Sequence, residues 1–316
     1  FPMYFIGLLR IKYTMRKLAR FIFACLCVCA VAGGCVAAFV NYADGEEDDA
    51  LQVLTLWQID SFEGGRGSRA EYLRSLAQDF AKAANVYIEV TALSSDAART
   101  NISAGVVPDI ISYGAGFYGI ESLVSEGYGK AWCRGAYCLI ALSGTDFSAV
   151  STANTVINEG KDNLVSVAAL FSGLQGADYA APTSAYVSLI SGEYEFLLGT
   201  QRDVIRLQTR GESFEVKPLP EFNDLYQYIS VLTRDGEKAA VAEEYINYVL
   251  SHGESLTRIG MLCDGETLYS DEMHALEGVD FSYTIPAVAS SGAVDEIKKA
   301  ARSGDINLLK SLLKPL

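Results

Sequence analysis

From Val53 to Tyr113 the apolar positions come in short runs separated by polar, glycine-bearing segments, and the period of the runs alternates between two kinds. Val53, Leu54 and Leu56 form a β-prone run that Trp57 ends, which reads as a buried strand. Gly64, Gly65 and Gly67 follow, and Ser68 and Glu71 stand at capping-box spacing ahead of Tyr72, Leu73, Leu76, Ala77 and Phe80, one face of a helix. Val86 to Leu93 predicts a second strand, Ser95 to Gly105 a short helix that Pro108 closes, and Asp109 to Tyr113 a third strand opening into Gly114-Ala115-Gly116-Phe117-Tyr118. This β-α-β-α-β alternation predicts a parallel sheet. Ligands of open α/β sheets bind outside the carboxyl ends of the strands, so the loop holding Trp57, Gln58, Asp60, Phe62, Glu63 and Arg66 is a candidate cleft wall. A capped turn with solvated charges would carry the same residues.

Further on, Tyr137 to Leu142 predicts a strand able to leave one lobe and enter another. Ser143 to Leu189 is poor in charge and gives a weak pattern, with a helical stretch near Asn163 to Phe171. Ser191 to Thr200 reads as a turn and a buried strand, and the run from Gln201 through Arg206 and Arg210 as helical or extended. Tyr226 to Leu232 predicts the returning strand, Glu237 to Ser251 an amphipathic helix, and Val294 to Leu313 two short helices broken at Ser303-Gly304. No internal repeat is present.

Composition narrows the setting. The 316 residues carry a net charge of −14, yet residues 1 to 34 hold five basic side chains and no acids; without them 20 positive charges face 39 negative, a net −19. Such a body is repelled by nucleic acid and anionic lipid. Arg16, Lys17 and Arg20 precede FIFACLCVCAVAGG, a secretory n-region and h-region too short for the roughly twenty residues of a membrane span. Export is therefore expected, with Met15 as the start and Phe1 to Thr14 excluded from fold reasoning. Val31-Ala32-Gly33-Gly34-Cys35 is similar to a bacterial lipobox with Ala32 in place of the usual larger aliphatic residue, making Cys35 the candidate lipidation site; cleavage a few residues later is the other reading. Tyr42 to Ala50 is an acidic tether.

Three of the seven cysteines, Cys25, Cys27 and Cys29, lie in the signal segment; Cys133, Cys138 and Cys263 belong to the folded part. A bridge between Cys133 and Cys138 would span the Arg134-Gly135 turn, a geometry that sequence does not fix. His252 and His274 lack metal-ligand spacing and the folded part has no C-x-x-C pair, so no metal and no cofactor is expected.

Several segments, in order, carry a resemblance. LTLWQIDSFEGGRGSRAEYL, PDIISYGAG, AWCRGAYCLIAL, SGEYEFLLGTQRDVIRL, LYQYISVLTR with AEEYINYVLS, and IKKAARSGD resemble the bacterial extracellular solute-binding proteins of family 1, the sugar-type receptors of ABC importers. The chain is shorter than is usual there, and Ser143 to Leu189 would hold a trimmed second lobe. The resemblance implies an α/β, two-lobe periplasmic-binding-protein-like (type II) fold that closes on ligand about a hinge. The expected organisation is a leader over 1–34, a tether over 35–51, a first lobe of 52–140 and 232–285, and a second of 141–231 and 286–316. In that fold the expected ligand residues are Trp57, Asp60, Glu63, Arg66, Tyr113 and Phe117 of the first lobe and Trp132 and Tyr137 beside the crossing. Gln201, Arg202, Asp203 and Arg206 join them from the second lobe, with Tyr226 and Gln227 at the return. Aromatic faces suit sugar rings, and carboxylates and arginines suit hydroxyls. Packing at the lobe junction accounts equally for Trp132 and Tyr137, and a mutual ion pair for Arg202 and Asp203.

The resemblance implies an exported, non-enzymatic receptor, lipid-anchored at the outer face of the membrane or periplasmic, whose partners are a small solute, a carbohydrate above all, and the permease subunits. Two other classes compete. An exported glycoside hydrolase would use paired carboxylates, nominally Asp60 and Glu63, but two acids on one loop do not define a geometry across a scissile bond. A sensor or adhesin on the same fold is the other.

Overall fold

The computed structural model describes residues 52–62, 64–124, 129–160 and 163–316. The leader, Cys35, the acidic tether and Glu63 lie outside the described residues.

The chain opens as the apolar runs predict. Strand β1 (Gln52–Ile59) leads through the glycine-bearing loop to helix α1 (Arg69–Ala84), which begins where the Ser68 side chain accepts from the Glu71 amide and stops at Asn85 in the left-handed conformation. Strand β2 (Val86–Leu93), helix α2 (Ser95–Ser103) and strand β3 (Ile110–Gly114) follow, and β1 lies parallel to both strands, Trp57 facing Thr91 and Ile111. The two faces of β1 are both buried. Leu54 and Leu56 enter the core beneath α1, while Trp57 and Ile59 join Ala98, Ile111 and Tyr113 on the opposite side.

Strand β4 (Lys130–Arg134) ends the first sheet and β5 (Tyr137–Leu142) begins the second, with only Gly135 and Ala136 between them. The second sheet contains β6 (Thr155–Asn158), helix α3 (Val165–Phe171), β7 (Asp178–Ala180), helix α4 (Pro182–Ile190), β8 (Phe196–Thr200), helix α5 (Gln201–Arg210) and β9 (Phe214–Pro218) in chain order. Its strand order is β7-β6-β8-β5-β9, with β6 parallel to β7 and β8. The chain returns through Leu219 to Leu225 to β10 (Tyr226–Val231), an antiparallel partner of both β3 and β4, which gives the first sheet the order β2-β1-β3-β10-β4. Helix α6 (Gly236–Leu250) packs beside α1, where the Tyr245 hydroxyl donates to the Leu73 carbonyl at 2.8 Å. A short pair of strands, β11 (Tyr283–Thr284) and β12 (Lys314–Pro315), brackets helices α7 (Ala293–Ser303) and α8 (Ile306–Leu312).

This is the two-lobe α/β architecture expected, with two corrections to the placement of its seam. The chain changes sheet at Gly135-Ala136, so Tyr137 and Cys138 stand in the second sheet rather than at the end of the first lobe. Tyr226 to Val231, expected to close the second lobe, pairs in the first sheet. Gly135 stands at this change of sheet, where a Cβ would lie 2.5 Å from Gln201 Oε1, and the hydrogen-bond partners of the backbone on either side of it belong to different sheets. Cys133 and Cys138 thus belong to different sheets, and both are free thiols.

Candidate functional site

The carboxyl ends of the parallel strands in the two sheets border two cavities, and one helix joins them. The first, about 470 Å³, lies past the ends of β1, β2 and β3, where Asp60, Ser61, the start of α2 at Ser94 and the Ala115–Tyr118 turn form its walls. The second, about 570 Å³, lies past the end of β6, with Glu159, Asn163, Ser166 and Tyr179 around it. Helix α7 contributes its amino-terminal residues to the first cavity, Ala301 and Arg302 to the second, and Lys298 to both. Both cavities therefore occupy the position that open α/β sheets offer to ligands.

The first cavity is rich in hydroxyls and charge. Ser61 Oγ has almost no solvent contact and no hydrogen-bond partner among the described residues, a donor and acceptor left over in the wall. Arg99 is fixed by Asp96 and lies over the Tyr118 ring with 4.3 Å to its centroid. Asp60 Oδ1 accepts from Arg69 Nε at 2.9 Å and from Gln58 Nε2 at 3.0 Å, while about half of its side chain faces out.

Beneath this wall lies a buried polar frame. Arg69, 3% exposed, also donates to the Phe62 carbonyl and, at 3.3 Å, to Gln227 Oε1. Gln227 Nε2 reaches the Ile59 carbonyl at 3.0 Å and Ser112 Oγ at 3.1 Å, and Ser112 accepts from Trp132 Nε1 at 2.9 Å. Gln227 links the end of β1 and, through Arg69, the loop after it to β10, and Ser112 gathers β10 and β4 onto β3, so the frame helps set where Asp60 stands.

At the crossing a second buried pair joins the lobes. The Tyr137 hydroxyl donates to Asp224 Oδ1 at 2.7 Å, and the Leu164 amide donates to Asp224 Oδ2 at 3.1 Å. Burial pushes the Asp224 carboxyl up to about 6, against the opposing pull of the Tyr137 hydroxyl, backbone amides and the positive charge of Lys298. The Tyr137 hydroxyl is pushed well above its ordinary range, first by burial and then by the Asp224 charge.

The expected ligand residues divide sharply. Asp60 and Phe117 border the first cavity. Trp57 is packed against the α2 side of the sheet, Trp132 stacks on Tyr72 at 5.6 Å, and Tyr226, Gln227 and Tyr137 are consumed by the core and the frame just described. None of these five borders either cavity, because residues on the strands themselves point into the layers above and below the sheet rather than past its edge. Tyr113 donates to or accepts from Ser230 Oγ at 3.3 Å and borders a separate cavity of about 400 Å³ with Tyr228 and Ile285. Arg66 lies against the opposite bank of its own loop, donating to the Thr257 carbonyl at 2.8 Å while its amide reaches the Ile259 carbonyl. Gly65 lets that approach happen, since a Cβ there would sit 2.1 Å from the Gly260 carbonyl oxygen. The glycines of this loop thus serve backbone packing.

In the second lobe, Gln201 accepts from the Ala136 amide at 3.1 Å and is fully buried. Asp203 closes a capping box with Thr200 and accepts from Asn158 Nδ2 at 2.7 Å. Arg206 donates to the Pro182 carbonyl at 2.9 Å, and Arg202 is half-buried on the first turn of α5. Gln201 and Asp203 hold the start of α5, Arg206 ties that helix to the start of α4, and none of the four borders the two cavities. The residues that do come from scattered places: Ser61 just after β1, Ser94 at the start of α2, Asn163 just ahead of α3, Tyr179 on β7 and Lys298 on α7. The sequence signals that point to two of these walls are Ser94 ahead of α2 and Ser290-Ser291-Gly292 ahead of α7, patterns that any helix start can carry.

Two α/β sheets joined by paired crossings, with cavities at their strand ends, define the two-lobe periplasmic-binding-protein fold. Among solved structures, a cyclo/maltodextrin-binding protein complexed with maltotetraose matches with a TM-score of 0.51 and 11% identity over 84% of this chain and 96% of that one. A substrate-binding domain assigned to a molybdenum ABC transporter of Clostridium difficile gives 0.48 and 13% over 66% and 98%, and iron-bound HitA of Pseudomonas aeruginosa 0.42 and 11% over 63% and 84%. At these identities the likeness is one of fold. No protein-family model and no curated protein matches the chain.

Proposed function

We propose that this chain is the solute-binding component of an ABC importer, of the sugar type, which captures a sugar or oligosaccharide between its lobes and hands it to membrane permease subunits. The observation that carries the reading is the pair of strand-end cavities that share Lys298. One helix thereby touches a ligand in either wall, and a solute long enough to fill both would bring the lobes together. Carboxylates such as Asp60 and Asp295 accept from sugar hydroxyls, Lys298 and Ser61 donate to them, and the rings of Tyr118 and Tyr179 offer apolar faces. No covalent step is part of this reading. Cys35 would anchor the exported chain to the outer face of the membrane through lipid, with the acidic tether as a spacer.

Isothermal titration of the full chain against a panel of mono- and oligosaccharides tests the proposal. Saturable heat with at least one sugar, its affinity weakened about tenfold in Lys298→Ala, is the expected result. Absence of heat with every sugar, or turnover of a glycoside by the purified protein, overturns it.

A further inference from the structure

Two of the cysteines, Cys133 and Cys263, line neither of the two strand-end cavities. Arg134 and Leu262 form an isolated antiparallel bridge in which each amide donates to the other's carbonyl, at 2.8 and 3.0 Å. The bridge is isolated, but its register extended by one residue would set Cys133 opposite Cys263 at a non-hydrogen-bonded position, where facing Cα atoms are about 4.5 Å apart. A disulfide accepts Cα separations of roughly 4.4–6.8 Å. The side-chain alternation agrees. Arg134 Nε meets Asp264 Oδ1 at 2.6 Å on one face of the bridge, and Cys133 and Cys263 enter the same apolar cluster on the other. Cys138, by contrast, faces Gly199 and Pro218 across its own sheet and meets no cysteine there.

We propose that Cys133 and Cys263 are oxidised to a disulfide in the exported protein, pinning edge strand β4 to the segment that follows Gly253–Arg258. The bond lies beside the Gly135-Ala136 crossing, on the segment whose Met261 meets Gln201 of the second lobe. It therefore fastens one side of the lobe seam and caps the free edge of β4. The inference rests on the export reading for its oxidising compartment and is independent of what the cleft binds.

The chemistry balances with a small-molecule or enzyme disulfide as oxidant. The thiolate of Cys263, the more exposed of the two, attacks the oxidant's S–S bond and releases one thiol; the Cys133 thiolate then attacks the mixed disulfide and releases the second. Two protein S–H bonds are lost, one protein S–S bond forms, and two electrons and two protons pass to the oxidant. In the thiol form Cys263 Sγ is turned toward Glu266 Oε2 at 3.7 Å, so the bond requires it to leave that contact by rotation about Cα–Cβ. Burial pushes the Cys263 thiol up to about 12, with the Glu266 charge adding to it, and raises Cys133 further. Folded dithiol protein should thus oxidise slowly, and the bond should form as the chain folds, while both thiols still ionise normally.

The test is peptide mapping of the unreduced full chain, once after export and once after refolding from denaturant in oxidised and reduced glutathione. A linked peptide joining Cys133 to Cys263, 2 Da lighter than the two thiol peptides together, is expected in both samples, with Cys138 alkylated. Reduction should lower Tm by about 10 °C, as removal of a long-loop crosslink does. Cys263→Ser should lose the linked peptide and Cys138→Ser keep it. Alkylation of both Cys133 and Cys263 in the refolded sample, or a Cys133–Cys138 peptide, overturns the assignment. A bond in the refolded sample that is absent from the exported one would overturn its occurrence in the cell while leaving the pairing geometry intact, and neither result depends on sugar binding.

Discussion

Two polar segments border the first cavity, and they spend their hydrogen bonds in opposite ways. The loop after β1, from Gln58 to Arg69, is knotted inward: Arg69 serves Asp60, Phe62 and Gln227 at once, and Arg66 is committed to Thr257. The entry to α7 is turned outward, with Ser290, Ser291 and Asp295 exposed and Lys298 half-exposed along the wall. The loop that looks most like a binding motif in the sequence thus spends most of its hydrogen bonds on the protein itself, and an ordinary-looking amphipathic helix supplies exposed polar groups along the wall of the first cavity. Charge clustered near glycine at a strand end signals that something must be held; here much of what it holds is the protein itself.

Substitutions can break this contrast. Trp57→Ala should cost roughly 3–5 kcal/mol in a denaturation titration, the usual range for a buried aromatic truncated in a core, while leaving solute affinity of the folded fraction unchanged. A specific loss of affinity without a loss of stability would return Trp57 to the binding surface. Arg69→Ala should destabilise by about 3 kcal/mol, since the Phe62 carbonyl and Gln227 Oε1 lose their donor in a buried setting. Wild-type stability in that variant would show that the frame is not a frame.

The Asp224 carboxyl sharpens the comparison through pH. Its folded value of about 6 lies above the ordinary 3.8, so the native state keeps its proton longer than the unfolded chain does. Stability should fall as pH rises from near 4 to near 6, by on the order of 2–3 kcal/mol, and stay level with respect to this group above that. Asp224→Asn removes this slope and raises Tm at pH 7; parallel Tm profiles for the two proteins at pH 4, 5, 6 and 7 would refute the assignment. The smallest change in stability is expected for Lys298→Ala, under about 0.5 kcal/mol, as for a surface position. Its solute affinity should nonetheless drop about tenfold, because a charge-assisted hydrogen bond contributes roughly 1.5 kcal/mol or more.

Much of the fold is legible in the residue pattern because period and capping agree. The Ser68–Glu71 cap, the strand at Val86–Leu93, the helix seen at Gly236–Leu250 and the break between α7 and α8 at Ser303-Gly304 all follow from local rules. Where the chain is short of charge the pattern fades, and β6, β7 and α4 are held by tertiary pairing that no local signal announces. The seam is misplaced for a related reason: the residue pattern predicts a strand only from Tyr137, because β4 is five residues long with charges at Lys130 and Arg134, and only Gly135 and Ala136 separate it from β5. The cleft is less legible than the fold. Ser61 and Tyr179 come from separate parts of the chain and border separate cavities, and only α7, through Lys298, reaches both. Aromatic residues on strands drew attention as sugar platforms, but at Trp57 and Trp132 their bulk is used to fill the layers beside the sheet.

The apolar cluster beneath α1 does not stop at the seam: it runs from Leu54 and Ile229 through Tyr137 to Leu139, Ile157 and Leu198 of the second sheet. Any swing of one half against the other must roll over this common floor, which favours a shallow pivoting gesture over a wide gape. Neither half could be cut loose and kept in water without baring that floor, so calorimetry should record one melting peak for both.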